Sequence, residues 1–418
     1  MRIDRLGDLG AAPSVLRAVA VAAAQRGVAP PAALIGDWFG SRAVIAPSVA
    51  VSPVLPGEAF DVPVGAREDG PVGGGWFGYL SYPDPGADGR GPRVPEAAGG
   101  WSDSVLRCAT DGTWWHESLS GAPLFDWVLE AVQAPSSPRP ATVTWRAADR
   151  DAHQEGVYAC LAAIAAGEVY QACVCTQFTG SIDGEPVDFF VDAAARTAPT
   201  RAAFLSGSWG AVASLSPELF LRRCGEAVTS SPIKGTLPRH ADPAALRASV
   251  KDVAENIMIV DLVRNDLSRV ARTGSVTVPE LLAVRPAPGV WHLVSTVSAR
   301  VPVDVRTASV LAATFPPASV TGTPKTRARE LLRQWEPYRR GIYCGTVGLA
   351  SPVAGCELNV AIRTVEFTAS GDAVLGVGGG ITADSDPAQE WEECLHKAAS
   401  IVSLSGPGPQ HRVVELPA

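Results

Sequence analysis

Two residues in neighbouring segments have side chains that can do covalent and acid–base chemistry. Lys234 stands in SSPIKGTLP, after a short apolar pair and directly before Gly235 and Thr236. A lysine amine can act as a nucleophile or bind an anion, although a solvated turn would have the same composition. Glu218, in SLSPELFLRR, interrupts an otherwise apolar strand pattern. A carboxyl group buried there would have a raised pKa and would suit a general acid, whereas at a strand end it would be a surface glutamate.

Two candidate helices carry acidic pairs at a spacing that suits a bound cation. In DSDPAQEWEECLHKAAS, Glu390, Glu393 and Lys397 follow one another at i, i+3 and i+7 and share a helix face. Asp252 and Glu255 have the same i, i+3 spacing on an earlier segment. Mg²⁺ prefers oxygen ligands and keeps several waters, so we expect Glu255 and Glu393 to bind it directly and the other two carboxylates to act through water. Solvated helix faces with a Glu393–Lys397 ion pair would give the same pattern.

Several further residues have the chemistry of anion binding. The run LGVGGGITADSDP places Gly378–Gly380 before a capped helix, and three successive amides without side chains can cradle a carboxylate or a phosphate. Arg363, in LNVAIRTVEF, has small strand neighbours and could clamp a carboxylate through two parallel hydrogen bonds. A flexible turn and a sheet-edge arginine are the alternative interpretations. Tyr343 and His292 are single polar aromatic residues in apolar runs, a pattern typical of core positions.

Helices and strands alternate in the part of the chain that would position these residues. Residues 152–166 have a helical period closed by Gly167, and residues 244–267 form a longer helical segment. Thr323 is predicted to cap a helix with Pro324 at its first position, and a final helix is predicted from Asp386-Pro387 through Leu404. Closely spaced strands after residue 342 favour antiparallel pairing over parallel crossovers. The strand-like runs are 41–47, 74–82, 169–178, 211–222, 226–230, 342–350, 357–367 and 373–378.

The composition restricts the class of partner and the compartment. The chain has 418 residues, 46% of them hydrophobic, and a net charge of −8, so it can bury a sizeable core and has no long basic run for nucleic acid. Its eight cysteines lack metal-ligand spacing, and Cys173 and Cys175 alternate along a strand-like run like small buried side chains. The N-terminus has no signal pattern, and no apolar run reaches the roughly 20 residues that cross a membrane. We expect a soluble, cytoplasmic protein with neither a nucleic acid nor a membrane partner.

The ordered motifs of the chain resemble those of one family, the chorismate-utilising enzymes. This family includes the large subunits of anthranilate and aminodeoxychorismate synthases and the isochorismate and salicylate synthases. The resemblance covers roughly residues 145–405 and is loose before them, mainly through GGWFGYLSY. The motifs are SPELF, PIKGT, ENIMIVDLVRNDLSRV, HLVSTV, FPPASVTGTPKTRARELL, RRGIYCGTVGL, AIRT and GVGGGITADSDPAQEWEECLHKA.

The resemblance implies a fold and a division of the chain. The fold would be α+β and anthranilate-synthase-like, with two large packed antiparallel sheets, flanking helices and the active site between the sheets. Residues 1–145 would form a β-rich N-terminal subdomain that is interwoven with the catalytic part. Residues 146–418 would form the chorismate-binding catalytic domain.

The resemblance also implies a magnesium site and a set of substrate contacts. Glu255 and Glu393 would bind Mg²⁺, with Asp252 and Glu390 in the outer shell, although glutamate is common in the family at the position of Asp252. Chorismate carries two carboxylates, of which the metal would hold the ring carboxylate. The residues that would contact the substrate, with the enolpyruvyl carboxylate held by the first two, are Tyr343, Arg363, Gly235, Thr236, His292, Ser319, Gly378, Gly379, Gly380 and Lys397.

Two positions distinguish the reactions of the family. Gln171 stands in the pocket where isochorismate and salicylate synthases carry a lysine base, so activation of water at C2 is not expected. Lys234 stands where anthranilate synthases have alanine and aminodeoxychorismate synthases have lysine. In the latter enzymes the amine attacks ring C2 as the C4 hydroxyl leaves, and ammonia then adds at C4 and expels the lysine. This implies amination at C4 by a neutral Lys234 amine, with Glu218 protonating the departing hydroxyl. Anthranilate synthase and, less favoured, isochorismate synthase are the alternatives.

The ammonia for such a reaction normally comes from a glutamine amidotransferase. No glutaminase domain is visible in the sequence, because the fragment YCG around Cys344 resembles a glutaminase nucleophile motif only superficially. We therefore predict that a separate glutaminase subunit supplies the ammonia.

Overall fold

Antiparallel strands dominate the computed structural model of the chain, which describes residues 1–67, 70–134 and 139–404. Most strands have buried side chains on both faces, as expected for sheets that pack against each other or against helices. In chain order the strands are β1 Arg2–Gly7, β2 Ala32–Trp38, β3 Ser41–Ala46, β4 Ser52–Pro53, β5 Gly75–Leu80, β6 Ala97–Ser102, β7 Ser104–Cys108, β8 Trp114–Ser118, β9 Thr142–Arg146, β10 Gln171–Asp183, β11 Arg201–Gly207, β12 Gly210–Ser216, β13 Leu219–Cys224, β14 Ala227–Ser231, β15 Ile233–Pro238, β16 Thr277–Ala287, β17 Val290–Arg300, β18 Gly322–Thr323, β19 Thr346–Ser351, β20 Gly355–Asn359, β21 Thr364–Thr368 and β22 Asp372–Ile381.

These strands form two antiparallel sheets. The first sheet has the order β1-β8-β7-β3-β2-β11-β12-β21-β22-β10-β18, with β9 also paired to β10. The second has the order β15-β17-β14-β13-β20-β19-β5-β6-β4, with β16 also paired to β17. Two large antiparallel sheets with flanking helices confirm the predicted α+β fold class.

Strands from before residue 145 occur in both sheets. In the first sheet β2 pairs with β11, and in the second β5 pairs with β19. The division at residue 145 stays a prediction. Residues 405–418, which the predicted catalytic domain includes, lie outside the described residues.

The helices flank the sheets. α1 packs against α2 and α4, α9 packs against α3 and β22, and α6 packs against β15 and β17. The helices are α1 Ala12–Arg26, α2 Asp126–Gln133, α3 Arg150–Ala165, α4 Pro186–Thr197, α5 Ala244–Ala248, α6 Val250–Ser268, α7 Thr307–Thr314, α8 Lys325–Trp335 and α9 Pro387–Val402, with short 3₁₀ turns at Pro56–Glu58 and Ala318–Val320.

The alternation of side chains along β11 shows how the layers pack. Leu205 joins a core cluster with Phe77 of β5 and Leu349 of β19, so this cluster lies between the two sheets. Phe204 points to the other face and packs in a cluster with Leu16 of α1 and Phe190 of α4. Successive side chains of a strand face opposite sides, and each fully buried Phe or Leu contributes about 1.5–3 kcal/mol. The first sheet is therefore covered by the second sheet on one face and by helices on the other.

Most predicted elements are confirmed, with small changes at their ends. The helix predicted for residues 152–166 spans Arg150–Ala165, and Gly167 follows it in the left-handed region. The final helix spans Pro387–Val402, and the Asp386 side chain accepts hydrogen bonds from two amides of its first turn. The predicted cap of α8 is wrong by one position. Thr323 pairs with β10 as the end of β18, and Pro324 is the capping residue.

The helix predicted for residues 244–267 is two helices. Ser249 has extended backbone angles, and its side chain accepts a hydrogen bond from the Asp252 amide at 3.2 Å. A serine in this position satisfies an amide that would otherwise lack a partner, so it begins α6 instead of continuing α5. The break places Asp252 in the first turn of α6.

Two predicted strands cross between the sheets and are therefore wrong as single strands. The run 211–222 divides into β12 of the first sheet and β13 of the second, with Pro217 and Glu218 between them. Proline has no amide hydrogen for a strand ladder, so pairing ends there. The run 357–367 divides in the same way into β20 and β21, with residues 360–363 between them.

Candidate active site

A cavity of about 710 Å³ opens between the two sheets and helices α6 and α9. Its volume is within the range of small-molecule pockets, about 300–1,000 Å³. Most of the predicted site residues, although distant in the sequence, meet on its wall. These are Glu218, Lys234, Gly235, Thr236, Asp252, Glu255, His292, Ser319, Tyr343, Arg363, Gly378, Gly379, Gly380, Glu393 and Lys397.

A bulge in β15 presents Lys234 to this cavity. Strand β15 pairs with β17 at Ile233–Val294 and at Thr236–His292, so two residues of β15 face a single residue of β17. Bulges bend a strand and change the direction of its side chains, and they are frequent beside active sites. The Lys234 side chain is only 12% exposed, and its Nζ lies 3.8 Å from Oε2 of Glu255.

The second residue of the bulge is Gly235, and its backbone conformation favours glycine. Its φ of 89° lies in the left-handed region, which disfavours other residues. A Cβ atom at this position would lie 3.1 Å from Cβ and Cγ of Asp252. The glycine thus lets β15 approach the first turn of α6, next to the acidic pair.

Glu218 lies on the crossing between β12 and β13, not within a strand as predicted. It is 3% exposed, and one oxygen accepts a hydrogen bond from the Ile233 amide at 3.4 Å. Burial raises the pKa of Glu218 to about 7, against the opposing effects of the Ser319 hydroxyl and the Lys234 ammonium. A substantial fraction of this carboxyl is therefore protonated near neutral pH, as a general acid requires. The β13–β14 hairpin returns the chain from Glu218 to the bulge that carries Lys234.

Arg363 lies on the other crossing, between β20 and β21, and not in a strand. Its φ of 51° is rare for a residue other than glycine and stores backbone strain, which concentrates at functional sites. Two backbone hydrogen bonds join the crossings. The Val360 amide donates to the Glu218 carbonyl at 3.0 Å, and the Leu215 amide donates to the Arg363 carbonyl at 3.0 Å.

The Arg363 guanidinium lines the cavity without a partner. Burial lowers its pKa, and none of its donors makes a hydrogen bond or ion pair within the described residues. A desolvated cation with free donors is an incomplete arrangement, because buried charges are normally paired. The geometry suits a carboxylate that arrives from the cavity.

Tyr343 lies on the same wall and packs against β22 at Gly376. A Cβ on Gly376 would lie 2.2 Å from Cγ of Tyr343, so only glycine allows this contact. Gly376 was missed in the sequence analysis, which considered only the three consecutive glycines. Its spacing of two from Gly378 and of four from Gly380 is the signal that would have indicated a shared strand face.

The three consecutive glycines lie inside β22, not in the loop that was predicted. They pair with β10 at Cys175–Gly378, Val174–Gly379 and Cys173–Gly380. On the other side of β22, pairing with β21 ends at Leu375, so this edge of the glycine stretch has no strand partner among the described strands. The Gly378 carbonyl instead accepts a hydrogen bond from Nζ of Lys397 at 2.8 Å. The stretch therefore has a backbone edge available to the cavity.

Three lysine–glutamate pairs surround the glycine stretch. The N–O distances are 3.8 Å for Lys234–Glu255, 3.2 Å for Lys251–Glu390 and 2.7 Å for Lys397–Glu393. Burial raises the pKa of Glu255 above its usual range. Partial burial acts in the same direction on Glu393, but the neighbouring Lys397 keeps the pKa of Glu393 below its usual range. The Glu393–Lys397 pair confirms the intrahelical ion pair that the spacing indicated.

The carboxylates offer the oxygen ligands that a magnesium ion prefers. Within the described ranges, no group of three His, Cys, Asp or Glu side chains is close enough to hold a metal ion by itself. Mg²⁺ usually takes one or two protein carboxylates and completes its shell with water and substrate oxygens. Glu255 and Glu393 line the same cavity from different helices. A Cβ on residue 380 would lie 3.4 Å from Oε2 of Glu255, and because this residue is glycine, that position is open. The magnesium site stays a prediction.

Two predicted residues lie behind the cavity wall. Gln171, at the start of β10, is 1% exposed, and its Nε2 lies 2.4 Å from where a Cβ on Gly380 would be. Its Oε1 is buried without a hydrogen-bond partner in the described structure. Glu390 is 3% exposed and accepts hydrogen bonds from Ser385 at 2.6 Å and from Lys251. Both support the wall from behind, and neither lines the cavity.

His292 and Thr236 form a neutral pair on the opposite wall. The Thr236 hydroxyl lies 2.8 Å from Nδ1 of His292, as their register on β15 and β17 requires. Burial lowers the pKa of His292 to about 4, so the ring is neutral at pH 7. Its Nε2 is buried and has no partner in the described residues, so it can still form a hydrogen bond with a ligand.

Two charged or titratable residues of this wall were not predicted from the sequence. Lys251 lines the cavity and pairs with Glu390, which lies 139 positions later. His396 also lines the cavity, next to Lys397. Spacing within a single helix cannot reveal an ion pair between two helices, so no sequence signal identified the role of Lys251.

The described helices include none that is both long enough and apolar enough to span a membrane. All eight cysteines are buried, as predicted for Cys173 and Cys175.

Known proteins that are similar in sequence to this chain include components of aminodeoxychorismate and anthranilate synthases. The chain is 41% identical over 286 residues to aminodeoxychorismate synthase component 1 of Klebsiella aerogenes, which covers 66% of this chain and 63% of the relative. It is 36% identical over 248 residues to anthranilate synthase component 1 of Streptomyces coelicolor, a match that covers 57% of this chain and 48% of the relative. The chain thus spans about half to two thirds of these relatives.

A solved structure shares the fold. Anthranilate synthase component I from Streptococcus pneumoniae superposes with a TM-score of 0.72 at 23% identity, covering 89% of this chain and 90% of the other. The sequence profile of the chorismate binding enzymes matches residues 104–403, which is more than half of the chain. These residues include both crossings, the bulge and the glycine stretch. The chain therefore belongs to the chorismate binding enzyme family.

Proposed function

We propose that this protein is the aminating component of an aminodeoxychorismate synthase. It would convert chorismate and ammonia into 4-amino-4-deoxychorismate, a precursor for para-aminobenzoate and folate or for a specialised metabolite. The observation that carries the proposal is that Lys234 and Glu218, a nucleophile and a general acid, lie on one cavity wall and are joined by a single hairpin.

In the first step Lys234 forms a covalent adduct with the substrate. Its amine attacks ring C2, both conjugated ring double bonds shift, and the C4 hydroxyl leaves with the proton of Glu218. The Glu255 carboxylate, 3.8 Å from Nζ, is close enough to fix the direction of the amine. In the second step ammonia bonds to C4, and the electron pair of the C2–N bond returns to Lys234. The lysine thus directs amination to C4 instead of C2.

The cavity also has separate groups for the two substrate carboxylates. Arg363, which has free donors, and Tyr343 suit the enolpyruvyl carboxylate. The amide edge of Gly378–Gly380 faces the region where Glu255 and Glu393 would hold Mg²⁺. Mg²⁺, when bound, would neutralise and orient the ring carboxylate. Neutral His292 can hydrogen-bond to the substrate without adding charge.

The ammonia would come from a separate glutamine amidotransferase subunit. The name of the Klebsiella relative, component 1, supports a partner component. Reconstitution with glutamine requires that partner, whereas ammonium at high concentration tests this chain alone.

A single assay tests the proposed reaction. The protein is incubated with chorismate, Mg²⁺ and ammonium, and the products are resolved by mass spectrometry. We expect 4-amino-4-deoxychorismate as the main product. Anthranilate as the main product would refute amination at C4.

Trapping the adduct tests the role of Lys234. The protein is incubated with chorismate and Mg²⁺ without ammonium, and intact-mass analysis measures the covalently modified fraction. We expect an adduct on the wild type and none on Lys234→Ala. Lys251→Ala is the matched control, because Lys251 lines the same cavity but lies outside the bulge, and it should keep the adduct. An adduct that persists on Lys234→Ala would place the nucleophile elsewhere.

The second candidate is an anthranilate synthase component I. The similarity to the Streptomyces coelicolor relative favours it, because that protein carries this name. It would aminate C2 and eliminate pyruvate, which needs no lysine nucleophile. Isochorismate synthesis is less favoured, because Gln171 takes the place of a lysine base and lies behind the wall. Isochorismate formed without ammonium would reverse this ranking.

A further inference from the structure

A second, much smaller cavity lies directly behind Glu218. It is about 20 Å³ and shares Glu218 and Ser319 with the main cavity, so these residues form the partition between the two spaces. A space of about 10–15 Å³ on this measure holds one water molecule if polar partners are present. We call this space the rear compartment and define its polar wall by Glu218, Ser230, Asp266 and Ser319.

Asp266, which lines the rear compartment, and Lys325, which bonds to it, have no role in the proposed reaction. Asp266 comes from ENIMIVDLVRNDLSRV and Lys325 from FPPASVTGTPKTRARELL. Nζ of Lys325 donates hydrogen bonds to Oδ2 of Asp266 at 2.5 Å and to the carbonyls of Thr314 and Pro316 at 2.8 Å each. All three ammonium donors are therefore used, and they fix Asp266 in the compartment wall.

The second oxygen of Asp266 is still available. Oδ1 of this 4% exposed residue has no hydrogen-bond partner among the residues that the structure describes. A carboxylate oxygen without a protein donor can accept a hydrogen bond from a bound small molecule. Glu218 becomes a second acceptor once it has given up its proton. The compartment thus suits a single small molecule with several hydrogen-bond donors.

We propose that the rear compartment holds the ammonia molecule that is transferred to C4. The inference rests on the proposed function and adds a binding site for its second substrate. Ammonia must reach C4 from a space beside the lysine adduct. Glu218 has just protonated the hydroxyl that left C4, so the compartment behind it adjoins the carbon to be aminated. Ammonia offers three N–H donors to Glu218, Asp266 and the serines.

The same arrangement completes the proton balance. Ammonia forms the C4–N bond with its lone pair, and the C2–N pair returns to Lys234. The extra proton of the new ammonium group passes to the Glu218 carboxylate, which restores the acid for the next cycle. One group thus serves as acid in the first step and as base in the second.

Filling the rear compartment should affect the second step only. Val263→Ile adds one methylene group to an apolar wall residue on α6. Val260→Ile is the matched control, since Val260 is also buried on the same helix and does not line the compartment. Val360→Ile fills the compartment from the opposite side and serves if Val263→Ile fails to fold.

Rapid mixing separates the two steps. Adduct formation is followed by quenched mass analysis without ammonium, and adduct decay is followed after ammonium chloride is added. For Val263→Ile we expect unchanged adduct formation and a KM for ammonium raised about tenfold, from the loss of one or two hydrogen bonds. Val260→Ile should behave as the wild type in both steps.

Two results would overturn the inference. Equal slowing of adduct formation and decay would mean that the compartment only shapes Glu218. Identical ammonium dependence in the Val263 and Val260 variants would mean that no ammonia binds there. A wild type that forms no adduct and no 4-amino-4-deoxychorismate refutes the proposed function instead, and that outcome is visible before any variant is made.

Discussion

Replacing Glu218 by glutamine should change the way in which the stability of the protein depends on pH. The side chain is 3% exposed, and burial raises its pKa from 4.5 to about 7. A difference of about 2.5 between these values corresponds to about 3 kcal/mol, at 1.36 kcal/mol for each pKa unit. Glutamine has nearly the same shape and carries no charge. Ionisation of the Glu218 carboxylate should therefore destabilise the wild type by about 3 kcal/mol, and the variant should not show this loss.

The sign follows from the order in which the two states lose their protons. Below pH 4.5 the carboxyl is protonated in both states, and burial of its charge costs nothing. Between pH 4.5 and about 7 the unfolded chain ionises first, so the folded state binds more protons and its stability falls as the pH rises. Above pH 7 the loss is complete. Relative to the wild type, Glu218→Gln should gain about 3 kcal/mol between pH 4 and pH 9.

Urea unfolding between pH 4 and pH 9 measures this gain. The quantity of interest is the difference in unfolding free energy between variant and wild type at each pH, because other titrating groups cancel from it. Glu155→Gln, at an exposed position on α3, is the control and should give a flat difference. A flat difference for Glu218→Gln as well would refute the assignment of a raised pKa, and with it the argument for a general acid that is protonated at neutral pH.

Three further predictions concern the glycine stretch, the unpaired arginine and the break before α6. Gly380→Ala would place a Cβ 2.4 Å from Nε2 of Gln171 and 3.1 Å from Nζ of Lys234. Calorimetry should therefore show that the Kd for chorismate rises about tenfold. The control variant Gly57→Ala, which has open space around its Cβ, should leave this Kd unchanged. Arg363→Lys keeps the charge but loses the two parallel donors, and it should raise the same Kd about tenfold; an unchanged Kd would exclude a two-point carboxylate contact. Ser249→Ala removes the cap of α6 and should lower the free energy of unfolding by about 1 kcal/mol, measured with urea at pH 7; no change would mean that α5 and α6 are divided by some other feature.

The sequence predicted local features well where short-range patterns determine them. Asp386 caps α9 as its side-chain chemistry requires, and the period of residues 152–166 gives α3. Alternation along β10 correctly placed Cys173 and Cys175 together in the core. The helix cap, the helical period and the strand alternation all depend on neighbours within four positions, so the sequence contains the information that determines them.

The sequence did not predict where the chain changes from one sheet to the other. The runs 211–222 and 357–367 each have an unbroken strand pattern, and only the tertiary arrangement assigns their halves to different sheets. Glu218 and Arg363 were therefore expected inside strands, although they lie on the crossings. The contact of Lys251 with Glu390 and that of Tyr343 with Gly376 join distant segments and follow only from the packing of α6, α9 and β22.

The hydrogen bonds between the two crossings couple the acid to the arginine mechanically. Because Val360 bonds to the Glu218 carbonyl and Leu215 to the Arg363 carbonyl, a shift of one sheet relative to the other would displace both functional groups as a unit. Alignment of the sheets thus sets the position of the proton donor and of the substrate anchor, which move together, relative to the rest of the cavity. Substitutions deep in the layer between the sheets, far from any ligand, would then alter turnover by changing this alignment while every residue of the cavity stayed the same.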